Sequence, residues 1–180
     1  QEPSVRVVIL AGRGKHFCAG LDLGMFGGLH GESSLASRRA ETLRRTILRL
    51  QGNLSAIERC RKPVLAAIHS SCIGGGVDMT CCADMRYATE DAFFSIREID
   101  IGRTADVGTL QRLPKIIPDG VVRELAYTGR NMDAEEAREV GFVNRVYENS
   151  EIMLREVTEI ARAIAARSPL AMRGSKEMLL

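Results

Sequence analysis

Residues 64–78 have the sequence VLAAIHSSCIGGGVD, in which an unbroken apolar run is followed by three glycines and an acid. Residues 64–68 carry no polar side chain, and such a run predicts a short strand buried on both faces of a sheet. The glycines at 74–76 then predict a tight turn into a short helix over residues 77–82. A strand, a turn and a helix in this order indicate an α/β domain.

The same alternation continues on both sides of this stretch. Residues 5–11 predict another buried strand. Between Ser34 and Pro63, apolar residues at intervals of three and four predict an amphipathic helix, with an apolar stripe of Leu43, Ile47, Leu50, Leu54 and Ile57. Further on, the sequence predicts short strands at 85–88, 92–95 and 142–146, and helices at 119–127, 133–140, 151–166 and from Ser168 onward. An Asp-x-x-Glu capping box, Asp133 with Glu136, opens the helix at 133–140. Residues 96–115 show no regular period.

The composition is that of an ordinary globular domain and argues against several classes of protein. Of the 180 residues, 45% are apolar and 27% are charged, as expected for one domain with a hydrophobic core. Lys and Arg number 25 against 23 Asp and Glu, and the formal charge of +2 gives no support for a general nucleic-acid binder. No apolar run has the length needed to span a membrane.

The cysteines also limit the possible chemistry. Cys18, Cys60, Cys72, Cys81 and Cys82 form neither a CxxC pair nor a Cys/His spacing typical of zinc sites. We therefore expect no bound metal, and we expect reduced thiols as in an intracellular compartment.

Two glycine-containing segments are candidate binding sites. At residues 74–76, a helix N-terminus would present unpartnered N–H groups to a phosphate or an oxyanion, although a tight turn without a ligand explains the glycines as readily. No Lys-Ser or Lys-Thr follows, so this segment is not a P-loop, and it is not a GxGxxG motif. The second segment, Ala19-Gly20-Leu21-Asp22-Leu23, can equally be a surface loop in which Asp22 caps a helix.

Four acids follow the glycine turn: Asp78, Glu98, Asp100 and Asp106. Single carboxylates on loops are usually solvated, whereas a proton shuttle requires two carboxylates with different pKa values around one substrate. Glu98 and Asp106 flank a glycine-containing loop that precedes residues 108–114. Whether these acids converge depends on the tertiary structure.

The chain resembles the enoyl-CoA hydratase/isomerase (crotonase) family in several ordered segments. These are residues 17–23 (FCAGLDL), 62–69 (KPVLAAIH), 72–78 (CIGGGVD), 83–88 (ADMRYA), 108–114 (GTLQRLP) and 128–130 (TGR). The resemblance implies an α/β crotonase (ClpP-like) fold of repeated ββα units. It assigns residues 1–150 to the crotonase core, with its N-terminal part missing, and residues 151–180 to the start of an incomplete C-terminal helical region.

The resemblance also implies an oxyanion hole formed by two backbone N–H groups, those of Leu21 and Gly75. Two such donors in a dry site stabilise a thioester enolate, and losing one typically costs about 3–4 kcal/mol of barrier. The substrate would be an acyl-CoA thioester, contacted by Gly75 and by Ala19, Gly20, Leu21, Asp22 and Leu23. Coenzyme A is then part of the substrate, and no separate cofactor is expected.

The acids distinguish activities within this family. Its hydratases generally carry two glutamates, at the positions occupied here by Asp78 and Glu98. Together with Asp106, the trio resembles that of the dienoyl-CoA isomerases, which convert a 3,5-dienoyl-CoA into a 2,4-dienoyl-CoA in fatty-acid β-oxidation. The resemblance assigns Asp106 as the base beside the thioester and Glu98 as the acid at the far end of the diene. Asp78 would orient or polarise the site.

Two alternatives stay open. A 2-enoyl-CoA hydratase would use only Asp78 and Glu98, acting on water. A non-catalytic acyl-CoA- or RNA-binding protein of the same fold is the alternative of another class, against which the intact trio and the near-neutral charge argue. The chain departs from the family pattern at Arg103 and Thr104, where the resembling isomerases tend to have small or apolar residues. If Arg103 lies near Glu98 or Asp106, it would lower the pKa of that carboxylate; otherwise it would point into solvent.

Assembly and location follow only from the resemblance. The chain begins at Gln1 without a methionine and stops inside a helical pattern at Leu180, so we expect it to be part of a longer protein. By analogy with the family, we expect a homotrimer or homohexamer, located in mitochondria or in a peroxisome-like organelle.

Overall fold

A computed structural model describes residues 2, 4–20, 22, 24 and 35–180. In chain order, its helices and strands are β1 (Val8–Ala11), α1 (Ala36–Glu58), β2 (Val64–Ile68), β3 (Ser71–Ile73), α2 (Gly75–Cys81), β4 (Met85–Thr89), β5 (Phe93–Ser95), α3 (Thr109–Arg112), α4 (Asp119–Thr128), β6 (Met132–Asp133), α5 (Ala134–Glu139), β7 (Arg145–Tyr147), α6 (Ser150–Ala165) and α7 (Pro169–Leu179). Within the described residues, short 3-10 helices also lie at Glu98–Ile101 and Leu113–Lys115.

A parallel sheet with the strand order β1-β2-β4-β7 forms the centre of the described part of the chain. All five residues of β2 are buried, because a run without polar side chains is stable only where both faces of the strand are covered. Helix α6 covers one face and packs Met153 and Val157 against Leu65, Ala67 and Tyr87. The larger core, which includes Val64, Ala66 and Ile68, lies on the opposite face. The predicted α/β class is confirmed.

A second, smaller sheet has the order β3-β5-β6 and carries the glycine turn at one end. Strand β3 runs parallel to β5, and β5 pairs antiparallel with β6. The chain thus passes twice through two strands followed by a helix: β2, β3 and α2, and then β4, β5 and the 3-10 helix Glu98–Ile101. This arrangement brings the start of α2 and the start of that 3-10 helix to neighbouring strand ends.

Most of the predicted elements are present, and one prediction is wrong in its placement. Asp133 caps α5 by accepting a hydrogen bond from the Glu136 N–H at 2.8 Å, as the capping box predicts. The strand predicted at 142–146 lies instead at Arg145–Tyr147. Phe142 packs edge-on against Phe94 in the core but lies before the strand begins. Its apolar side chain therefore reflects burial in the core and not a position in the strand.

The C-terminal helices and the remaining sequence expectations can be located in the same structure. Helix α6 packs on the parallel sheet, while the division of the chain at residue 150 stays a prediction. Within the described ranges, no helix combines the length and the apolar character needed to cross a bilayer. The five cysteines are free thiols.

Candidate active site

The glycine turn joins β3 to α2 and requires glycine at its first position. Gly74 has φ +53° and ψ −113°, a conformation that side-chain-bearing residues rarely adopt. Its N–H donates to the Ser95 carbonyl at 2.9 Å, which continues the pairing of β3 with β5 up to the turn. A Cβ on Gly74 would lie 2.9 Å from Oε1 of Glu98, so the missing side chain leaves room for that carboxylate.

Gly75 is the first residue of α2, where amide N–H groups lack a partner within the helix. Among the described residues, none accepts a hydrogen bond from this N–H. A Cβ placed on Gly75 would meet no atom within 4 Å, so open space adjoins this residue. The N–H predicted to be an oxyanion donor is therefore without a partner among the described residues.

The segment that carries the other predicted donor runs alongside β3. Cys18 forms a parallel bridge with Cys72, in which the Cys18 N–H donates to Ser71 and the Cys18 carbonyl accepts from Ile73, both at 3.0 Å. Gly20 has φ +100°, and its Cβ position is 3.6 Å from the Ile73 carbonyl oxygen. The backbone at Ala19 and Gly20 thus lies next to the end of β3, immediately before the glycine turn.

The rest of that segment is only partly described. Asp22 is exposed, and its Oδ1 accepts a hydrogen bond from the Gly24 N–H at 2.9 Å. Leu21, the predicted second oxyanion donor, and Leu23 lie outside the described residues. Their assignments stay predictions.

Asp78 lies on α2, three residues after Gly75, and is fully buried. Its Oδ1 accepts two hydrogen bonds from Thr109, one from the backbone N–H at 2.6 Å and one from the hydroxyl at 2.7 Å. Its Oδ2 is buried and has no hydrogen-bond partner within the described part of the chain. Burial raises the pKa of Asp78, and the two bonds from Thr109 oppose this rise.

Glu98 begins the 3-10 helix after β5, and its carboxylate lies against Gly74. Oε2 of Glu98 is also buried and lacks a partner among the residues described. Burial raises the pKa of Glu98, and the negative charges of Asp78 and Asp106 raise it further. The charge of Asp106 also raises the pKa of Asp78. The three predicted acids are therefore close enough for their charges to act on one another.

Asp106 differs from the other two acids because it is exposed. Its backbone carbonyl accepts a hydrogen bond from Gln51 Nε2 on α1 at 2.7 Å. It lines an open groove of about 320 Å³, whose walls include Gln51, Ser55, Glu58, Gly108 and Arg112. Helix α1 thus holds the backbone of the segment that leads from Asp106 to Thr109.

The structure adds polar residues that the sequence did not identify. Thr109 lies in a segment that resembles the family, but no spacing rule shows that it reaches Asp78, 31 residues earlier. Arg112 binds Glu58 through two hydrogen bonds of 3.0 and 2.8 Å and Ser55 through one of 3.2 Å, which joins α3 to α1. The hydrogen bond from Arg112 lowers the pKa of Glu58.

The positive charge of Arg112 lowers the pKa of Asp78, against the larger effect of burial. The Arg103 N–H donates to the Glu98 carbonyl at 2.9 Å, and the residue is exposed. Burial raises the pKa of Glu98, and the negative charges of Asp78 and Asp106 add to this rise. The guanidinium of Arg112 acts on Asp78 in the opposite direction.

Comparisons with known proteins agree on one family. The family model described as enoyl-CoA hydratase/isomerase matches residues 1–180. A peroxisomal Delta(3,5)-Delta(2,4)-dienoyl-CoA isomerase of Arabidopsis thaliana is 48% identical over 183 residues, covering 100% of this chain and 66% of the relative. The mitochondrial enzyme of that name from Rattus norvegicus is 44% identical, covering 100% of this chain and 56% of the relative. The chain therefore spans less than two thirds of the length of these relatives.

Solved structures resemble the described fold closely. The crystal structure of enoyl-CoA hydratase from Bacillus anthracis has a TM-score of 0.87 at 35% identity, covering 99% of this chain and 66% of that one. Enoyl-CoA hydratase of Mycobacterium smegmatis has a TM-score of 0.84 at 28% identity, covering 99% and 65%.

Proposed function

The chain belongs to the enoyl-CoA hydratase/isomerase family and has its crotonase fold, and from this premise we propose that the protein isomerises a 3,5-dienoyl-CoA to a 2,4-dienoyl-CoA. The observation that carries the proposal is the placement of three acids around the start of α2. Asp78 lies on this helix, Glu98 lies against Gly74, and Asp106 comes three residues before Thr109, which binds Asp78. At the same helix start, the N–H of Gly75 has no partner among the described residues. Proteins named dienoyl-CoA isomerase are 44–48% identical to the whole chain, which supports the same activity.

The proposed reaction moves one proton and leaves the oxidation state of the substrate unchanged. Asp106 takes a proton from C2, and the electron pair of the broken C–H bond delocalises over the diene and onto the thioester oxygen. The N–H groups of Leu21 and Gly75 stabilise that oxyanion. Glu98 then donates a proton to C6, which leaves double bonds at C2 and C4. Because one proton leaves and one arrives, the reaction requires no redox cofactor.

The environments of the acids fit different roles in this scheme. Burial raises the pKa of Glu98 and so favours the protonated form, which a proton donor requires. Asp106 is exposed beside an open groove, where an acyl-CoA substrate can reach it. Asp78 is held by two hydrogen bonds from Thr109 and keeps one buried oxygen without a described partner, which suits a residue that orients or polarises the substrate.

The test is a spectroscopic assay on the full-length protein. A 3,5-dienoyl-CoA is added, and formation of the 2,4-diene conjugated with the thioester carbonyl is followed by absorbance. We expect turnover that falls by about 10²- to 10⁴-fold in Asp106→Asn, as is typical for loss of a general base. The matched control is Asp119→Asn, since Asp119 is exposed and pairs with Arg123 on α4, away from the acids. Well-folded protein without turnover would contradict the proposal.

A 2-enoyl-CoA hydratase is the second candidate, and one observation favours it. Oδ2 of Asp78 and Oε2 of Glu98 are both buried without a described partner, and these are the two acids that a hydratase would use on water. Crotonyl-CoA hydration that is lost in Glu98→Gln but unchanged in Asp106→Asn would favour this activity. Loss of dienoyl-CoA isomerisation in both variants would favour the isomerase.

We also propose an organellar location and a homotrimeric or homohexameric assembly. Relatives named peroxisomal and mitochondrial support the location. Exposed apolar side chains of Leu170, Met178 and Leu179 on α7 support an assembly in which this helix is covered. Imaging of the tagged full-length protein tests the first point, and its mass in solution by light scattering tests the second. A cytosolic signal would refute the organellar location, and the mass of a monomer would refute the assembly.

A further inference from the structure

The carboxylate of Asp78 is held asymmetrically. Two donors of one residue, the N–H and the hydroxyl of Thr109, reach Oδ1 at 2.6 and 2.7 Å. Oδ2 of the same carboxylate is buried and has no hydrogen-bond partner among the residues described. A buried carboxylate oxygen without a partner is costly, so this arrangement calls for a function.

The donors on Oδ1 decide where an exchangeable proton can lie. A backbone N–H can only donate, so it keeps Oδ1 as an acceptor whatever the hydroxyl does. A proton on Oδ1 would face that N–H across 2.6 Å, which is unfavourable. The neutral form of Asp78 therefore carries its proton on Oδ2.

We propose that Thr109 is a positioning residue of the active site, which holds Oδ1 of Asp78 so that Oδ2 alone exchanges a proton or a hydrogen bond with the substrate. The position of Asp78 on α2 fits this role, since residues three apart lie on the same side of a helix and Gly75 precedes it by three. Asp78 thus lies on the side of α2 at which Gly75 begins the helix. The assignment rests on the proposed function, because it concerns a carboxylate of the proposed reaction.

Thr109 is itself held in place from the other side. A Cβ on Gly108 would collide with the guanidinium of Arg112, so that guanidinium packs directly on the backbone that precedes Thr109. Arg112 is fixed by its two bonds to Glu58 on α1. The side chain of Thr109 is buried and cannot reorient freely toward solvent.

Other charged and titratable groups also act on Asp78 and must be kept constant in a test. The charges that act on Asp78 are those of Asp106 and Arg112, and Asp78 in turn acts on Glu98 and on the buried thiols of Cys81 and Cys82. Substitution of Thr109 leaves all of them unchanged, so a shift in the pKa of Asp78 reports on the lost hydrogen bond.

The experiment measures the pKa of Asp78 directly in the full-length protein. Isotope-edited infrared titration follows its carboxyl band, identified as the band that Asp78→Asn lacks. Thr109→Val removes the hydroxyl but keeps the N–H. Because the lost donor stabilised the ionised form, we expect the pKa of Asp78 to rise by about one unit, a tenfold change in proton affinity. Thr109→Ser should restore the wild-type pKa, and Thr109→Ala replaces the valine variant if that variant does not fold.

The matched control is Thr89→Val. Thr89 is equally buried and its hydroxyl also donates to an aspartate, Asp91, but it lies on β4. We expect no change in the pKa of Asp78 in this variant. An unchanged pKa in Thr109→Val, or no rescue by Thr109→Ser, would overturn the assignment.

Activity gives an independent measurement. In the pH profile of turnover, the inflection due to Asp78 should move to higher pH in Thr109→Val, by the same amount as the pKa in the infrared titration. In Thr109→Ser the inflection should lie at its wild-type pH. An inflection that stays in place while the infrared pKa shifts would remove Oδ2 from the reaction and overturn the proposal. If the wild-type protein converts no dienoyl-CoA, the proposed function fails, and the infrared result alone decides whether Thr109 holds Asp78.

Discussion

Two groups of buried polar side chains differ in whether their polar atoms have hydrogen-bond partners. One group is the cations Arg86 and Lys176, and the other is the acids Asp78 and Glu98. The guanidinium of Arg86 donates to the carbonyls of Phe142, Thr80 and Ala83 at 2.6, 3.3 and 2.7 Å and lies 5.4 Å from the centroid of the Phe142 ring. In the acid group, by contrast, Asp78 and Glu98 each leave a buried oxygen without a described partner.

Lys176, like Arg86, is a buried cation whose side chain is hydrogen-bonded. Lys176 on α7 donates to Oδ2 of Asp84 at 2.7 Å and to the Lys62 carbonyl at 3.2 Å. Asp84 in turn accepts a hydrogen bond from the Val64 N–H at 2.7 Å. Both cations therefore join separate elements through hydrogen bonds that match their donors.

The difference indicates what each group contributes. Satisfied polar groups stabilise a fold or make it specific, whereas unsatisfied ones reduce stability and are kept where function requires them. Substitutions should therefore separate the two groups: changes at the acids should reduce activity, and changes at Arg86 should reduce stability.

The largest effect is expected at Glu98. Glu98→Gln keeps the size of the side chain but removes the exchangeable proton of the proposed acid. We expect turnover of the 3,5-dienoyl-CoA to fall by about 10²- to 10⁴-fold, the usual contribution of a general acid. The free energy of unfolding, measured by urea denaturation, should not decrease, because the amide of Gln is uncharged like the protonated acid that burial favours. A variant that is as active as the wild type would remove Glu98 from the mechanism.

A smaller effect, on stability, is expected at Arg86. Arg86→Met retains much of the side-chain volume but leaves buried carbonyls without donors, each of which costs about 1–3 kcal/mol. We expect the free energy of unfolding to fall by about 3 kcal/mol, with the turnover per folded molecule unchanged. Arg155→Met on α6 is the control, since Arg155 is exposed and should change stability by less than about 0.5 kcal/mol. Loss of turnover without loss of stability in Arg86→Met would contradict the comparison.

The smallest effect is the pH dependence of stability between the unfolded and the folded pKa values of Asp78 and Glu98. Burial raises the pKa of Asp78 and Glu98 above their values in the unfolded chain, so between the two values the native state binds more protons. The contribution of these two acids to the free energy of unfolding is fully present below their unfolded pKa values and is lost as pH rises through their folded pKa values. We expect the stability of the wild type to decline over this range, and the decline to be weaker in Glu98→Gln than in the wild type. Equal slopes in denaturation series at several pH values would contradict this cause.

Local patterns in the sequence predicted most of the regular structure. The apolar run at Val64–Ile68, the stripe of α1 and the capping box at Asp133 are each contained within a few turns or one strand, so the sequence shows them directly. Residues 96–115 showed no period, because their helices are single turns that are too short to display one. The strand predicted at 142–146 was misplaced because burial of Phe142 in the core produces the same apolar signal as a strand.

The sequence by itself determined the family, the α/β class and the identity of the candidate acids, because these depend on residue types in a fixed order along the chain. Only the tertiary structure decided which oxygen of Asp78 is held, which arginine acts on it, and that α1 secures the segment that carries Asp106 and Thr109. Those contacts join residues 31 to 55 positions apart. Their partners are selected by the packing of α1, α2 and α3, and a local sequence pattern carries no information about that packing.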